Sequence, residues 1–288
     1  MTSEAMLGAF ARIFKRTTAA ELAAAFAEHG LKQVQLNLSA LGVPTIPSEE
    51  SLAALDLHSI GASFTAYGAA LWGISATYNT AHPDSERRAA ETGRAAAFIA
   101  ALRDSGAVAA TLCSGSRNPT DMWGRHPDTS SDDAWRDFRE SLDALIPAAR
   151  TAGVLLAIEP EPANTVSDVD RAVRLLTELG AESRQVGFIL DPANLITDVE
   201  PGLHRQTLQR AFDVLGPRAI CVHAKDTVPW SATLAGRGVL DYELVAELYH
   251  ALPQQIPLII QDTSERELPA VADLLRRVVF QCAPWRTP

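Results

Sequence analysis

The sequence predicts a single (β/α)8 TIM barrel, an α/β fold occupying residues 1–288 as one domain. Three observations predict it. Short apolar runs of strand length recur eight times along the chain. Between them lie longer Ala/Leu-rich stretches with Glu and Arg on the opposite face, the pattern of strands alternating with amphipathic helices. A chain of 288 residues that is 47% hydrophobic can bury a large core, yet stays within the size of one such barrel.

The elements follow in order. "MLGAFARIF" is the first strand run, and the "FKRTTAAEL" after it lacks the glycine-rich turn of a doubly wound dinucleotide-binding sheet. "KQVQLNL" is the second; the helix after it, within "SEESLAALDLHSIGAS", has mixed periodicity and is the least defined. "GAALWGISA" is the third. "AVAATLC" and "GVLLAIE", the fourth and fifth, each follow a glycine that parts a helix end from a strand, in "SGAVAA" and "TAGVLL". "DVDRAVRLLTELG" is periodic, with Val169, Ala172, Val173, Leu176 and Leu179 on one stripe and Gly180 closing it. "QVGFILD", "RAICVHA" and "IPLIIQ" complete the strands. The tail "FQCAPWRTP" runs past the last helix, either docked on a neighbour or loose.

Composition narrows the function. A net charge of −10 without a Lys/Arg cluster argues against a nucleic-acid partner. The three cysteines, Cys113, Cys221 and Cys282, are odd in number and show no CxxC spacing, which fits a reduced cytoplasmic protein without a zinc ribbon. The N-terminus carries Glu4 early and too short an apolar run for a signal peptide. No stretch approaches the roughly 18 apolar residues of a membrane span.

In a barrel, the residue at the C-terminal end of each strand faces the site. The fifth strand ends "LLAIEPEP", placing Glu159 at the rim; the sixth ends "GFILDPAN", with Asp191; the seventh "ICVHAKD", with His223; the eighth "LIIQ", with Gln261. Each follows a buried run and is partly desolvated. Taken singly, such an acid is more often a helix cap or ion-pair partner, and such a histidine a satisfied core residue. Four on successive strands point to a shared cation, which removes the cost of an unpaired buried carboxylate. Carboxylate oxygens and an imidazole nitrogen suit Mn²⁺, Mg²⁺, Co²⁺ or Zn²⁺.

"LLAIEPEPAN", "VGFILDPANL" and "CVHAKD" together resemble the sugar isomerase/epimerase superfamily with its xylose isomerase-like barrel, over nearly the whole chain. That group includes ketose 3-epimerases, hydroxypyruvate isomerases, inosose dehydratases, 3-dehydroshikimate dehydratases and the endonuclease IV branch. The resemblance implies one divalent metal, Mn²⁺ foremost, held by Glu, Asp, His and Glu; the matching positions are Glu159, Asp191, His223 and, as a departure, Gln261. It implies an isomerase or epimerase of carbohydrate metabolism acting on a small sugar-like molecule. There the metal acts as a Lewis acid on an enediolate, Glu159 is the base and Lys225 an electrostatic or acid/base helper. It also implies a homodimer or homotetramer. The endonuclease branch needs several metals and a cationic groove, against which stand the charge of −10 and only seven histidines.

Gln261 cannot change protonation state, so it cannot be a second base. Its carbonyl oxygen remains a possible metal ligand, weaker for want of charge. Three readings follow. In one, a one-base enzyme isomerises, or runs a β-elimination as a lyase or dehydratase. In another, a bulge shifts the register so that Asp262, which alternation points away, faces the site. In the third, catalysis is lost and a sugar-binding or assembly protein remains.

Other residues are candidate substrate contacts. "GSRNPTDMWGRHPDTSS" is a long loop at the functional face, offering Trp123, Arg125 and His126; Trp123 equally suits loop anchoring. "SATYNTAHPD" offers Asn79 and His82, the latter alternatively a helix cap. Glu161 and Asn194 follow Glu159 and Asp191 closely. Lys225 alternatively pairs with Asp226 at the rim. In relatives, the loop of "AGRGVLDYELV" reaches the substrate or a neighbouring helix, which brings in Arg237. One arginine and no phosphate loop favour an unphosphorylated sugar or polyol.

Overall fold

Eight parallel strands close on themselves in the order β1-β10-β7-β6-β5-β4-β3-β2. They are β1 (Leu7–Phe10), β2 (Gln33–Leu36), β3 (Ala70–Ser75), β4 (Ala109–Leu112), β5 (Leu155–Ile158), β6 (Val186–Leu190), β7 (Ala219–Ala224) and β10 (Leu258–Ile260). The computed structural model describes residues 3–228 and 231–281; most of the tail, with Cys282, lies outside the described residues. The connecting helices are α1 (Ala19–Glu28), α2 (Glu49–Ala53), α3 (Leu57–Ala66), α4 (Ser85–Ala101), α5 (Asp132–Ala152), α6 (Val169–Leu179), α7 (Pro192–Ile196), α8 (His204–Leu215), α9 (Tyr242–Ala251) and α10 (Leu268–Leu275). The fold is thus the expected (β/α)8 barrel. No helix among the described residues is long and apolar enough to cross a membrane.

Local chemistry explains where the elements start and stop. Thr18 and Glu21 form a capping box at α1, each side chain satisfying a backbone N–H of the other. The ill-defined second helical segment is two helices. Asp56 accepts a hydrogen bond from Ser59 N and restarts the chain as α3, which interrupts the periodicity. Gly153 ends α5 in the left-handed conformation, at φ 73°. On α6 the buried stripe is Val169, Ala172, Leu175 and Leu179. Val173 is exposed and Leu176 only half-buried, because the i, i+3, i+6, i+10 row centred on Ala172 and Leu175 turns both toward the edge.

Two packing layers result. One large cluster fills the space between strands and helices. A smaller one, built from Trp72, Ala109, Ala157, Ile189, Cys221 and Ile259, plugs the barrel interior. Side chains alternate along a strand, so the residue two places beyond Ala157, Ile189, Cys221 and Ile259 also points inward, nearer the C-terminal mouth. Those positions hold Glu159, Asp191, His223 and Gln261. The register confirms that β7 and β10 align, with Ile259 opposite His223 and Ile260 opposite Ala224.

A short hairpin, β8 (Asp226–Val228) with β9 (Ser231–Thr233), follows β7 and is unexpected from the sequence. Asp226 organises what comes next. It is fully buried and accepts hydrogen bonds from the backbone N–H of Thr227 (2.8 Å), Gly236 (3.1 Å), Gly238 (2.9 Å) and Leu240 (3.0 Å). Gly238 is required, since a Cβ there would lie 2.1 Å from Thr227 O.

Candidate metal centre and active site

At the C-terminal mouth, Glu159, Asp191 and His223 each offer one ligand atom, all within 4.8 Å of one another. His223 Nδ1 lies 3.3 Å from Glu159 Oε1 and 3.7 Å from Asp191 Oδ2. Asp191 and His223 are buried; His223 Nδ1 has no hydrogen-bond partner among the described residues, and Asp191 Oδ2 has the Lys225 ammonium at 3.1 Å. Buried polar atoms are normally satisfied, so an unpartnered imidazole nitrogen facing two carboxylates suits a cation between them. The donors, two carboxylate oxygens and an imidazole nitrogen, fit a divalent ion.

The local sequence explains the orientation. Asp191 is the N-cap of α7: its Oδ1 accepts from Ala193 N (2.9 Å) and Asn194 N (3.2 Å), which turns Oδ2 toward Lys225 and His223. His223 Nε2 faces Gln35 Oε1 at 2.9 Å, with the Gln261 amide 3.1 Å from the same nitrogen. An N–H at Nε2 has an acceptor in Gln35, so Nδ1 is the nitrogen left for a metal. Asn194 Nδ2 donates to Glu159 Oε1 (2.7 Å) and also to Glu161 Oε2, yoking the two glutamates.

The cluster is electrostatically tight. Burial works against the Lys225 ammonium, but Asp191, at 3.1 Å, and Glu159 outweigh it and raise its pKa. Burial would lift Asp191, yet Lys225 and His223 hold it below the usual carboxylate range. For His223, burial favours the neutral ring, but Glu159 and Asp191 win and raise its pKa well above the usual value. Glu161 is pushed up to about 8 by burial and by the charge of Glu159.

A cleft of about 360 Å³ opens over this cluster. Glu159, Glu161, Lys225, Gln261 and Trp123 line it. Asp262 lines it too. The ladder bond from Gln261 N to Ala224 O is intact at 3.2 Å, so no bulge intervenes; instead Asp262 takes φ 48° and turns into the cleft, 3.8 Å from Lys225. Lys225 therefore pairs with Asp191 and Asp262 rather than with Asp226.

The remaining residues singled out from the sequence lie elsewhere. Asn79 and His82 are buried in an adjoining cleft: Asn79 Oδ1 accepts from Ala81 N and Ser116 N, and His82 bonds Pro119 O and Asp84 N. His126 caps a short 3₁₀ turn through Asp128 N (3.3 Å), and Arg125 pairs with Asp198. Arg237 is exposed in the loop held by Asp226. Gln35 did not emerge from strand-end reasoning. Its signal is the alternation in "KQVQLNL", where Gln33, Gln35 and Asn37 are all buried polar residues of one face.

Comparison with known proteins agrees with this geometry. A family model described as the xylose isomerase-like TIM barrel matches residues 8–277. No curated protein matches the sequence. Among solved structures, D-psicose 3-epimerase in the presence of D-fructose superposes with a TM-score of 0.70 at 15% identity, covering 95% of this chain and 99% of that one. L-ribulose 3-epimerase gives 0.70 at 14% identity over 98% and 99%. The IolI protein with a bound zinc atom gives 0.70 at 13% identity over 95% and 98%. These identities speak for the fold alone. With the family match spanning most of its length, the chain belongs to the xylose isomerase-like TIM barrel family.

Proposed function

We propose that the protein is a divalent-metal-dependent isomerase or epimerase acting on a sugar or related polyhydroxy carbonyl compound. One observation carries this reading: the buried Asp191 carboxylate and the buried His223 Nδ1, which has no hydrogen-bond partner among the described residues, converge with Glu159 at the mouth of the barrel. The sugar epimerases of similar fold, and the zinc of the IolI protein, support it. Glu159, Asp191 and His223 would hold the ion, manganese foremost, with Gln261 as a neutral fourth donor, and the bound ion would supply Lewis acidity toward the substrate oxygens.

The chain's own residues supply the rest. Glu159, steadied by Asn194, removes the proton beside the carbonyl. Lys225 places a fixed positive charge at the cleft floor, where oxyanion character develops. Asn37, Thr45 and Thr77 line the same cleft and offer hydrogen bonds to substrate hydroxyls. Gln261 cannot return a proton to the opposite face, which favours Glu159 moving it between neighbouring carbons. A second reading shares this base and ends as a β-elimination on a keto-sugar or keto-cyclitol.

The test is activity toward ketoses, D-fructose among them, before and after stripping with a chelator, with reactions in D₂O read by NMR. Loss on stripping, return with Mn²⁺ and deuterium beside the carbonyl are expected. An unsaturated product would select the lyase. Turnover indifferent to stripping overturns metal dependence.

A further inference from the structure

We propose that the substrate carries a second hydroxylated ring, as a glycosylated ketose does, and that this ring occupies a separate lobe of the cleft beyond Trp123. The inference rests on the reading of the first lobe as a sugar site and extends it to the size of the substrate.

The cleft over Glu159 does not end at its wall. A second cavity of about 420 Å³ adjoins it, and both are lined by Thr77, Met122 and Trp123. Either volume falls in the range that holds one small ligand. Trp123 stands on the divide, and its side chain is left largely open, at 49% exposure. An indole held open between two polar cavities offers a flat apolar surface, and the C–H face of a sugar ring fits it.

The lining of the second lobe identifies the chemistry it takes. Arg87, Glu91 and Arg94 stand at i, i+4 and i+7 on α4 and present one stripe to the lobe; Asp121 faces them from the loop after β4. Two guanidinium groups and two carboxylates leave no net charge. Neutral hydroxyl groups meet donors and acceptors together there. Arg87 is committed to Glu91 at 3.0 Å. Arg94 has no partner among the described residues, so its donors are available to a ligand.

The walls are already built. Asn79 Nδ2 donates to Asn118 O (3.2 Å), His82 is bonded to Pro119 O (3.2 Å), and Asp137 ties Arg88 (3.1 Å) to Arg117 (2.6 Å) behind them. The groups that shape the lobe are thus spent on holding it open, and a ring entering it would pay little to order them. A single-ring sugar over the metal cluster leaves this lobe and the far side of Trp123 empty.

The test uses the full-length protein loaded with Mn²⁺ and calorimetric titration with D-fructose and with turanose, maltulose and isomaltulose, which carry glucose on three different oxygens of fructose. At least one of the glucosylated ketoses binds about tenfold or more tightly than D-fructose, the weight of one well-placed aromatic contact. In Trp123→Ala and in Arg94→Ala most of that advantage is lost; both side chains are exposed, so the fold tolerates their removal. If D-fructose binds and no glucosylated form binds more tightly, the second lobe is no subsite, while the proposed function stands. An advantage that survives in both variants also overturns the assignment. Absence of binding by any of the four sugars overturns it together with the sugar reading of the first lobe.

Discussion

Gln35 offers a sharp test of the metal centre because it lies on the opposite side of the histidine from the proposed ion. Its carbonyl oxygen sits 2.9 Å from His223 Nε2, inside the barrel, with Gln35 only 4% exposed. Gln35→Leu keeps the side-chain volume roughly constant and removes the acceptor. The N–H at Nε2 then has only the Gln261 amide, 3.1 Å away. Leaving a buried donor without a good acceptor costs about 1–3 kcal/mol. The imidazole escapes part of that cost by turning, or by moving its proton to Nδ1, the nitrogen needed for the metal. Loss of an outer partner of a metal-bound histidine lowers affinity by about 10–100-fold, or about 1.4–2.8 kcal/mol, so both routes give the same scale. Titration of metal-free wild type and Gln35→Leu with Mn²⁺ reads it directly, and circular dichroism checks that the variant is folded. Mn²⁺ binding at wild-type affinity in the folded variant refutes the argument that Gln35 orients His223 for an ion.

Other outcomes follow from the same structure. Glu159→Gln lowers turnover by about two orders of magnitude or more, the usual weight of a positioned general base; steady-state kinetics on whichever ketose is accepted checks it. Mn²⁺ at about 100 times its dissociation constant stabilises the folded chain by about 2.7 kcal/mol. Thermal melts should therefore rise by about 5–10 °C over chelator-treated protein, and equal melting temperatures would contradict a bound ion. Metal affinity climbs with pH: His223, raised well above its ordinary pKa chiefly by Glu159 against the pull of burial, holds a proton near neutrality that a cation at Nδ1 must displace. Calorimetry in buffers of different ionisation enthalpy at pH 7 should count about one proton or more released per ion, and none released counts against the site. Asp226→Ala strands four backbone N–H groups at the root of the 234–241 loop and costs about 3 kcal/mol or more in urea unfolding; a change under about 1 kcal/mol would show that Asp226 does not hold that loop.

The barrel itself was legible because its two signals are local. Period-two apolar runs and period-three-to-four helical stripes need no tertiary information, and all eight strands fall within the runs read from the sequence. The inward direction of Glu159, Asp191 and His223 was legible for the same reason, each standing two residues beyond a plug residue on its own strand. Where two signals overlapped, the reading slipped. The α2–α3 segment mixes two helical phases across Asp56, and the stripe read on α6 takes in Val173 and Leu176 and leaves out the buried Leu175.

By itself, then, the sequence determined the fold class and the set of polar strand ends, since composition and short-range periodicity carry those. Only the tertiary structure decided which atoms meet. Gln35 on β2 reaches His223 across 188 positions of sequence. Asp262 enters the cleft through a left-handed backbone that strand alternation does not anticipate. The second lobe forms where loops after β3 and β4 face a helix. Such encounters depend on barrel closure and on single dihedral angles, and neither leaves a periodic trace along the chain.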